Sequence, residues 1–249
     1  MDAMPRSLTL VPVGVGAAYA RPGEAQSCYL VRADGGVVCL DLGAGALNRL
    51  QRHVPPEDLD AVVVTHLHPD HCADLLSLRV YMAWGPGAGR RLRVLGPPGL
   101  REQLAAFGGD GGLDAAFRFE TLAEGPPTEL VPGLRLTLAE VPHLSPTFAV
   151  RLDAGDESLC YSADCVANPR LPALAAGCGL LLCECTFGAD EVPPGAMHLN
   201  AEQAGAVARE AGAGALLLTH CYPEHDLAAA RGAFAGDVAW ARQDEAVAA

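Results

Sequence analysis

Four side chains that can bind a metal ion lie within six residues in the stretch Thr65-His66-Leu67-His68-Pro69-Asp70-His71. The stretch directly follows the apolar segment 61–64, which we predict to be a buried strand, and it precedes an amphipathic segment predicted to be a helix. Three imidazoles and a carboxylate in one loop would lose hydration without any gain unless they bound something. The pattern H-x-H-x-D-H therefore predicts a metal site at the carboxyl end of a strand.

Short apolar segments alternate with helical segments along the chain around this stretch. We predict strands at 8–13, 28–32, 37–41, 61–64, 93–95, 134–141, 148–152, 159–162, 180–184 and 216–219. We predict helices at 46–53, 72–84, 99–107, 169–176, 201–211 and 227–234, with Asn200 as the N-cap of the fifth. This order indicates two sheets packed face to face with helices outside, an α/β sandwich. The Pro/Gly-rich stretches 85–89, 108–112 and 125–127 are interpreted as loops, so one domain over residues 1–249 is expected.

The net charge of −13 narrows the class of substrate. A protein that binds nucleic acid through its phosphates needs a basic surface, because phosphate contacts supply most of the non-specific affinity. The only dense basic cluster is Arg90, Arg91 and Arg93, which we interpret as a solvated strand start. Large nucleic acids are therefore poor candidate substrates.

The beginning of the chain and the cysteines bear on the compartment. Residues 1–10 show neither a long apolar run nor a signal-peptide cleavage site, and no apolar stretch nears the roughly 20 residues of a membrane span. The nine cysteines show no C-x-x-C pair and no regular spacing, which is typical of reduced thiols. We therefore expect a cytoplasmic protein without a membrane partner. Cys72, Cys165 and Cys221 each follow a candidate ligand, but we expect them to be small buried residues rather than thiolate ligands.

The H-x-H-x-D-H stretch resembles the signature of the metallo-β-lactamase superfamily, whose fold is an αβ/βα four-layer sandwich. That superfamily also needs a third histidine, a later bridging aspartate, and a final histidine after an apolar strand. His143, Asp164 and His220 occupy these places in the expected order, each close after a predicted strand. The resemblance covers almost the whole chain.

The resemblance implies two metal sites that share one carboxylate. It assigns His66, His68 and His143 to one ion and Asp70, His71 and His220 to the other, with Asp164 bridging them. Asp70 is expected to serve in catalysis as well as in binding. Imidazole and carboxylate ligands without thiolate suit two Zn²⁺ ions, with Mn²⁺ or Fe²⁺ as alternatives. The net positive centre would polarise a small anionic substrate for attack by a metal-bound hydroxide.

Three further segments resemble the phosphodiesterase-like branch that includes ribonuclease Z. They are His143-Leu144-Ser145-Pro146-Thr147-Phe148, Leu182-Cys183-Glu184-Cys185-Thr186-Phe187, and Met197-His198-Leu199-Asn200 with Gln203-Ala204-Gly205. In that branch, a Glu and a His form a catalytic pair. Carried over, Glu184 would orient His198, which would protonate the leaving oxygen. Only twenty residues separate His143 from Asp164, so the tRNA-gripping arm of ribonuclease Z is absent.

The sequence leaves four functional hypotheses. The first is a dinuclear zinc phosphodiesterase for a small substrate, such as a cyclic nucleotide or an oligonucleotide. The second is a carboxylic ester, lactone or β-lactam hydrolase on the same metal site. A flavodiiron-type redox protein is disfavoured, because that group usually carries H-x-E at this place and needs a flavin domain. A non-catalytic metal-binding module is disfavoured by the complete ligand set. Loops such as 84–90 and 108–114 are expected to determine which substrate binds. The oligomeric state is not determined by the sequence, and a homodimer is one possibility.

Overall fold

The computed structural model of the chain describes residues 8–221 and 227–249. The first sheet contains β1 (Thr9–Gly14), β2 (Cys28–Ala33), β3 (Gly36–Leu40), β4 (Ala61–Val63), β5 (Leu92–Gly96), β6 (Phe117–Thr121) and β14 (Val247–Ala248). The second contains β7 (Thr128–Val131), β8 (Leu134–Val141), β9 (Thr147–Ala154), β10 (Glu157–Tyr161), β11 (Leu180–Glu184), β12 (Ala215–Thr219) and β13 (Asp237–Trp240). The helices are α1 (Ala46–Leu50), α2 (Pro69–Cys72), α3 (Leu75–Trp84), α4 (Leu100–Gly108), α5 (Leu113–Ala116), α6 (Arg170–Leu174), α7 (Ala201–Ala211) and α8 (Ala228–Ala233), and Pro56–Asp58 forms a short 3₁₀ helix.

Both sheets are mixed, and each is antiparallel on one side and parallel on the other. The strand order is β14-β1-β2-β3-β4-β5-β6 in the first sheet and β13-β12-β11-β10-β9-β8-β7 in the second. Strands β3 to β6 run parallel, as do β10 to β13. Strands β8 and β10 both pair antiparallel with β9, so the carboxyl ends of β8, β10, β11 and β12 meet at one edge.

Three apolar clusters separate four layers. The central cluster lies between the sheets and draws residues from both, including Tyr29 of β2 and Tyr161 of β10. Their rings lie 4.9 Å apart, centroid to centroid, and are fully buried. The second cluster joins the first sheet to α1, α3 and α4, and the third joins the second sheet to α6, α7 and α8. The predicted αβ/βα four-layer sandwich is therefore confirmed.

The ten predicted strands are all present, and the four strands that were not predicted are the four sheet edges: β6, β14, β7 and β13. These edge strands are two to five residues long and only partly buried, so they give a weaker apolar signal than most central strands. The helix predicted at 72–84 was wrong at its start, because Pro69 begins a separate short helix, α2, before α3. The helix predicted at 46–53 ends earlier, at Leu50.

The N-cap prediction for α7 is confirmed in detail. The Asn200 side chain accepts a hydrogen bond from the Gln203 backbone N–H, and the Gln203 side chain accepts one from the Asn200 N–H. This capping box fixes where the helix begins. Within residues 8–221 and 227–249, no helix is both long and apolar enough to cross a bilayer.

Candidate metal centre

The predicted ligands come together at one edge of the sandwich, although they are spread over 155 residues of sequence from His66 to His220. Each follows the carboxyl end of a strand or lies in the loop or short helix after it. His66 and His68 follow β4, His143 follows β8, and Asp164 and His220 follow β10 and β12. A backbone hydrogen bond of 3.1 Å from the Phe148 N–H to the Thr65 carbonyl connects the two sheets beside the site.

The first group of potential ligands contains His66, His68, His143 and Asp164, whose nearest donor atoms all lie within 4.8 Å of one another. The Nδ1 atom of His68 is 3.1 Å from His66 Nε2 and 3.2 Å from His143 Nε2. Burial and the neighbouring His71 lower the pKa of His66 to about 2, so its imidazole is neutral. Neutral imidazole is the form that binds a metal ion.

The second group contains Asp70, His71, Asp164 and His220, again within 4.8 Å, and all four are buried. The Nε2 atoms of His71 and His220 lie 3.3 and 3.5 Å from Asp164 Oδ2. His220 Nε2 is also 3.1 Å from Asp70 Oδ2. These are the two sets that the resemblance implied, with Asp164 a member of both.

Two buried polar atoms show that the donor set suits a cation. His71 Nε2 and Asp164 Oδ1 are buried within the site and make no hydrogen bond. Buried polar atoms without a partner are costly, and those that persist need an explanation such as a bound ion. Burial would raise the pKa of Asp164, but His220 and His71 outweigh it and hold that pKa well below its usual value. Ionised carboxylate and imidazole are ligands that divalent transition metals favour, so the residues fit.

Asp41 supports one imidazole of each group and was not identified from the sequence. Its Oδ2 accepts a hydrogen bond from His71 Nδ1 at 2.7 Å. The Thr65 hydroxyl donates to the same carboxylate and lies 3.1 Å from His66 Nδ1. The Tyr161 hydroxyl donates to it as well, at 3.0 Å. Each imidazole thus has Nδ1 held by the protein and Nε2 directed at the site, which is how metal-binding histidines are oriented.

Glu184 supports two imidazoles in the same way on the second sheet. Its Oε1 lies 3.0 Å from His198 Nδ1, and its Oε2 accepts from the Thr186 hydroxyl at 2.9 Å. That hydroxyl is 2.9 Å from His220 Nδ1. The Cys165 N–H donates to Glu184 Oε1 at 3.1 Å, so the fully buried carboxylate is well supplied with donors. The predicted pair of Glu184 and His198 is therefore assembled beside the ligand groups.

His198 reaches the site on a loop closed at its base. The Phe187 N–H donates to the Leu199 carbonyl at 3.1 Å, and the Ala201 N–H donates to the Gly188 carbonyl at 2.7 Å. His198 Nδ1 lies 3.8 Å from Asp164 Oδ2, within reach of the centre. Burial disfavours its charged form, but Glu184 outweighs this and raises the pKa of His198 above its usual value.

Three strand ends at the site adopt a strained backbone conformation. Asp41, Ala163 and His220 have φ of 58°, 52° and 51°, in the left-handed region that non-glycine residues rarely occupy. In the described residues, only one other non-glycine residue has positive φ, Asp244. Such strain clusters at functional sites, where the surrounding structure holds it.

The cysteines beside the ligands are buried, as expected. Burial raises the pKa of the Cys72 thiol to about 12 and places that of Cys165 well above its usual value. No cysteine belongs to a potential metal group among residues 8–221 and 227–249. All nine cysteines lie in these ranges, and no disulfide joins any of them.

The chain was compared with known proteins. The Beta-lactamase superfamily domain matches residues 38–221. The probable metallo-hydrolase YhfI of Bacillus subtilis is 31% identical over 211 residues, covering 84% of each chain. The crystal structure of YhfI superposes with a TM-score of 0.89 at 27% identity, covering 99% of this chain and 100% of that one. A ribonuclease Z of Mycobacterium marinum is 32% identical over 239 residues, covering 85% of each.

These similarities agree with the geometry of the site. The matched region runs from β3 to the residue after His220, so it contains both potential metal groups and the Glu184–His198 pair. The likeness to YhfI extends over nearly the whole chain. The chain belongs to the β-lactamase superfamily, as a metallo-hydrolase with the metallo-β-lactamase fold related to the ribonuclease Z branch.

Proposed function

We propose that the protein is a dinuclear zinc phosphodiesterase that acts on a small phosphodiester. The observation that carries the proposal is the Glu184–His198 pair, 3.0 Å apart, beside the carboxylate shared by both potential metal groups. Hydrolysis of an alkyl diester expels a poor alkoxide leaving group, so the reaction needs a proton donor. Hydrolysis of a carboxylic ester or a β-lactam needs such a donor much less.

The ligand assignment follows the two groups. One ion would be held by His66, His68 and His143, and the other by Asp70, His71 and His220. Asp164 would be a ligand of both ions. When bound, the two ions would activate water and polarise the phosphoryl oxygens. Zinc suits this set of imidazole and carboxylate donors. The set contains no soft thiolate, and it is not made of oxygen ligands alone, which Mg²⁺ and Ca²⁺ prefer.

His198 is the proposed proton donor. Its Nδ1 is engaged by Glu184, which leaves Nε2 to face the substrate. Because Glu184 raises the pKa of His198, the imidazole stays protonated to a higher pH than an unassisted histidine would. Glu184, His198 and His220 also lie close enough together to share an ion. The bond from Glu184 to Nδ1 favours the proton donor over the ligand, and metal content decides between them.

The substrate is proposed to be small. The relative in Mycobacterium marinum is a ribonuclease Z, which indicates phosphodiester chemistry on this scaffold. In this chain the residues between His143 and Asp164 are occupied by β9 and β10, with no inserted arm. With a net charge of −13, the protein also lacks the electrostatics for gripping a long polyanion.

Activity and metal content together test the proposal. We expect about two zinc ions per chain by elemental analysis, and turnover of bis(p-nitrophenyl) phosphate well above that of p-nitrophenyl acetate or nitrocefin. Preferred turnover of either of the last two would favour the ester or β-lactam alternative. One ion per chain under metal-replete conditions would refute the dinuclear site.

A substitution pair tests the ligand assignment. His68→Ala should lose metal and activity together, because His68 Nδ1 lies at the meeting point of its group. His53→Ala is the matched control, since His53 lies 2.7 Å from Asp244 and in neither metal group. A fully active, metal-replete His68→Ala protein would contradict the assignment.

A further inference from the structure

Each potential metal group takes half of its ligands from each sheet. The first sheet supplies the ligands that follow β4, and the second supplies those that follow β8, β10 and β12. The first group joins His66 and His68 from the first sheet to His143 and Asp164 from the second, and the second group joins Asp70 and His71 to Asp164 and His220. Distances from a metal ion to its ligands vary by only about 0.2 Å. The separation of the two sheets at this edge therefore decides whether either group can hold an ion.

Two buried tyrosines bridge the sheets at this edge, in opposite directions. Tyr29 of β2 pairs with Leu40, the last residue of β3, and its hydroxyl lies 2.8 Å from the hydroxyl of Thr219 at the end of β12. Tyr161, the last residue of β10, donates in the other direction to the Asp41 carboxylate at 3.0 Å. Both tyrosines and both of their partners are buried. A hydroxyl that lost its partner here would have no water to replace it, so both bonds are costly to break.

Both bonds fall at strained strand ends. Asp41 has φ of 58°, and Thr219 directly precedes His220, which has φ of 51°. A residue other than glycine stays in this region only where the surrounding structure holds it there. The two phenols supply such support from the opposite sheet, one to Asp41 itself and the other to the residue before His220.

We infer that Tyr29 and Tyr161 are positioning residues that set the separation of the two sheets at the metal centre. The inference rests on the proposed ligand sets, to which it adds the side chains that hold their two halves together. Apolar packing between the sheets is non-directional, so directional hydrogen bonds at the site fix the spacing that a metal ion needs. Tyr161 acts through Asp41 and Tyr29 acts through Thr219, and neither of these partners is a proposed ligand.

Zinc affinity, measured by competition with a chromophoric chelator, tests the inference without turnover. Tyr29→Phe and Tyr161→Phe keep the rings and remove only the hydroxyls. Each should lower zinc affinity about three- to tenfold, which is the effect of one lost buried hydrogen bond. Leu180→Ala is the matched control, because Leu180 is buried in the same central cluster at the opposite end of β11 from the site. It should lower the Tm of the metal-free protein at least as much and leave zinc affinity unchanged.

A second pair of variants tests the bond of Tyr29 itself. Thr219→Ser keeps a hydroxyl for Tyr29, whereas Thr219→Val removes the hydroxyl and keeps the shape of the side chain. Only Thr219→Val should lower zinc affinity. Combining it with Tyr29→Phe should add little to the loss, because both substitutions remove the same bond.

The outcomes separate the tyrosine bridges from the proposed function. Unchanged zinc affinity in either tyrosine variant, or an equal loss in Leu180→Ala, would overturn the inference. A wild-type protein that binds no zinc would refute the proposed ligand sets and the inference with them. A wild-type protein that binds zinc but hydrolyses no phosphodiester would refute the phosphodiesterase alone, and weaker zinc binding by both tyrosine variants would still support the bridges.

Discussion

Asp41 on the first sheet and Glu184 on the second are built into the site in the same way, but they support different groups. Each is a fully buried carboxylate at the end of a strand. Asp41 contacts His71 directly and His66 through the Thr65 hydroxyl. Glu184 contacts His198 directly and His220 through the Thr186 hydroxyl.

The difference lies in what each carboxylate holds. Both imidazoles held by Asp41 belong to the proposed ligand sets, one in each. Of the two held by Glu184, one is a proposed ligand and the other, His198, is the proposed proton donor. The same arrangement of carboxylate, threonine and two histidines thus supports two proposed ligands on one sheet, and one proposed ligand and the proposed proton donor on the other.

The largest effect is expected from His198→Ala, which removes the group that distinguishes the two sides. Turnover of a diester with an alkyl leaving group should fall about 10²–10⁴-fold, because the alkoxide then leaves unprotonated. With p-nitrophenolate, which leaves without help, the loss should be much smaller. The measurement is kcat on both substrates with metal content in parallel. An equal loss on both would make His198 a phosphate binder, and a loss of metal would make it a ligand.

Asp41→Asn should act on metal binding. The amide cannot supply a negative charge to His71 and to the Thr65 hydroxyl, so we expect zinc affinity to fall about 10–100-fold. Competition with a chromophoric chelator measures it. Asp60→Asn is the matched control, since the Asp60 carboxylate accepts from the Val37 N–H at 2.8 Å at the other end of β3. An unchanged affinity in Asp41→Asn would show that the support of His66 and His71 is not energetically important.

Glu184→Gln should have a smaller effect, about tenfold on turnover, since it changes only the environment of the imidazole. The loss should be greater for the alkyl diester than for the p-nitrophenyl diester, as for His198→Ala but weaker. The ratio of the two kcat values measures this. If Glu184→Gln instead lost metal as strongly as Asp41→Asn, the two carboxylates would have the same role.

The smallest effect is expected from Asn200→Ala, which removes the α7 cap two residues after His198. Loss of such a cap costs about 1 kcal/mol, or roughly 2–4 °C in Tm for a protein of this size. Asn168→Ala is the matched control, because Asn168 Oδ1 accepts from the Arg170 and Leu171 N–H groups at the start of α6. Both variants should lower Tm, but only Asn200→Ala should also reduce turnover of the alkyl diester.

The same thermal scans bear on domain organisation. If residues 1–249 form one domain, as predicted from the sequence, each variant should unfold in a single cooperative transition. Two separate transitions in the wild-type protein would contradict that prediction.

The sequence was most informative about the interior strands and the ligands. Most interior strands have a clear apolar pattern, and each ligand follows such a strand or lies in the loop or short helix after it, so order along the chain was enough to predict that residues as distant as His66 and His220 meet at one edge. The four edge strands could not be predicted in the same way, because they are short and only partly buried: in β7 (Thr128–Val131) only the last two of four residues are apolar and buried.

Asp41 shows what kind of signal was overlooked. It ends the predicted strand 37–41 just as His220 follows the strand 216–219, so a polar residue after an apolar run pointed to both. The contacts of Thr65 and Thr186 had no such signal, since threonine is common beside any strand.

The loop that carries His198 also bears on how this scaffold can diversify. Its base is closed by the bonds between Phe187 and Leu199 and between Gly188 and Ala201, while residues 193–195 are exposed and Pro/Gly-rich. Exposed loop tips with closed ends tolerate insertions, because added residues leave the base in place. New sequence can therefore be grafted at 193–195 while Glu184 and His198 keep their spacing. In evolutionary terms, an inserted segment that contacts new substrates can be added at this tip without displacing Glu184 or His198.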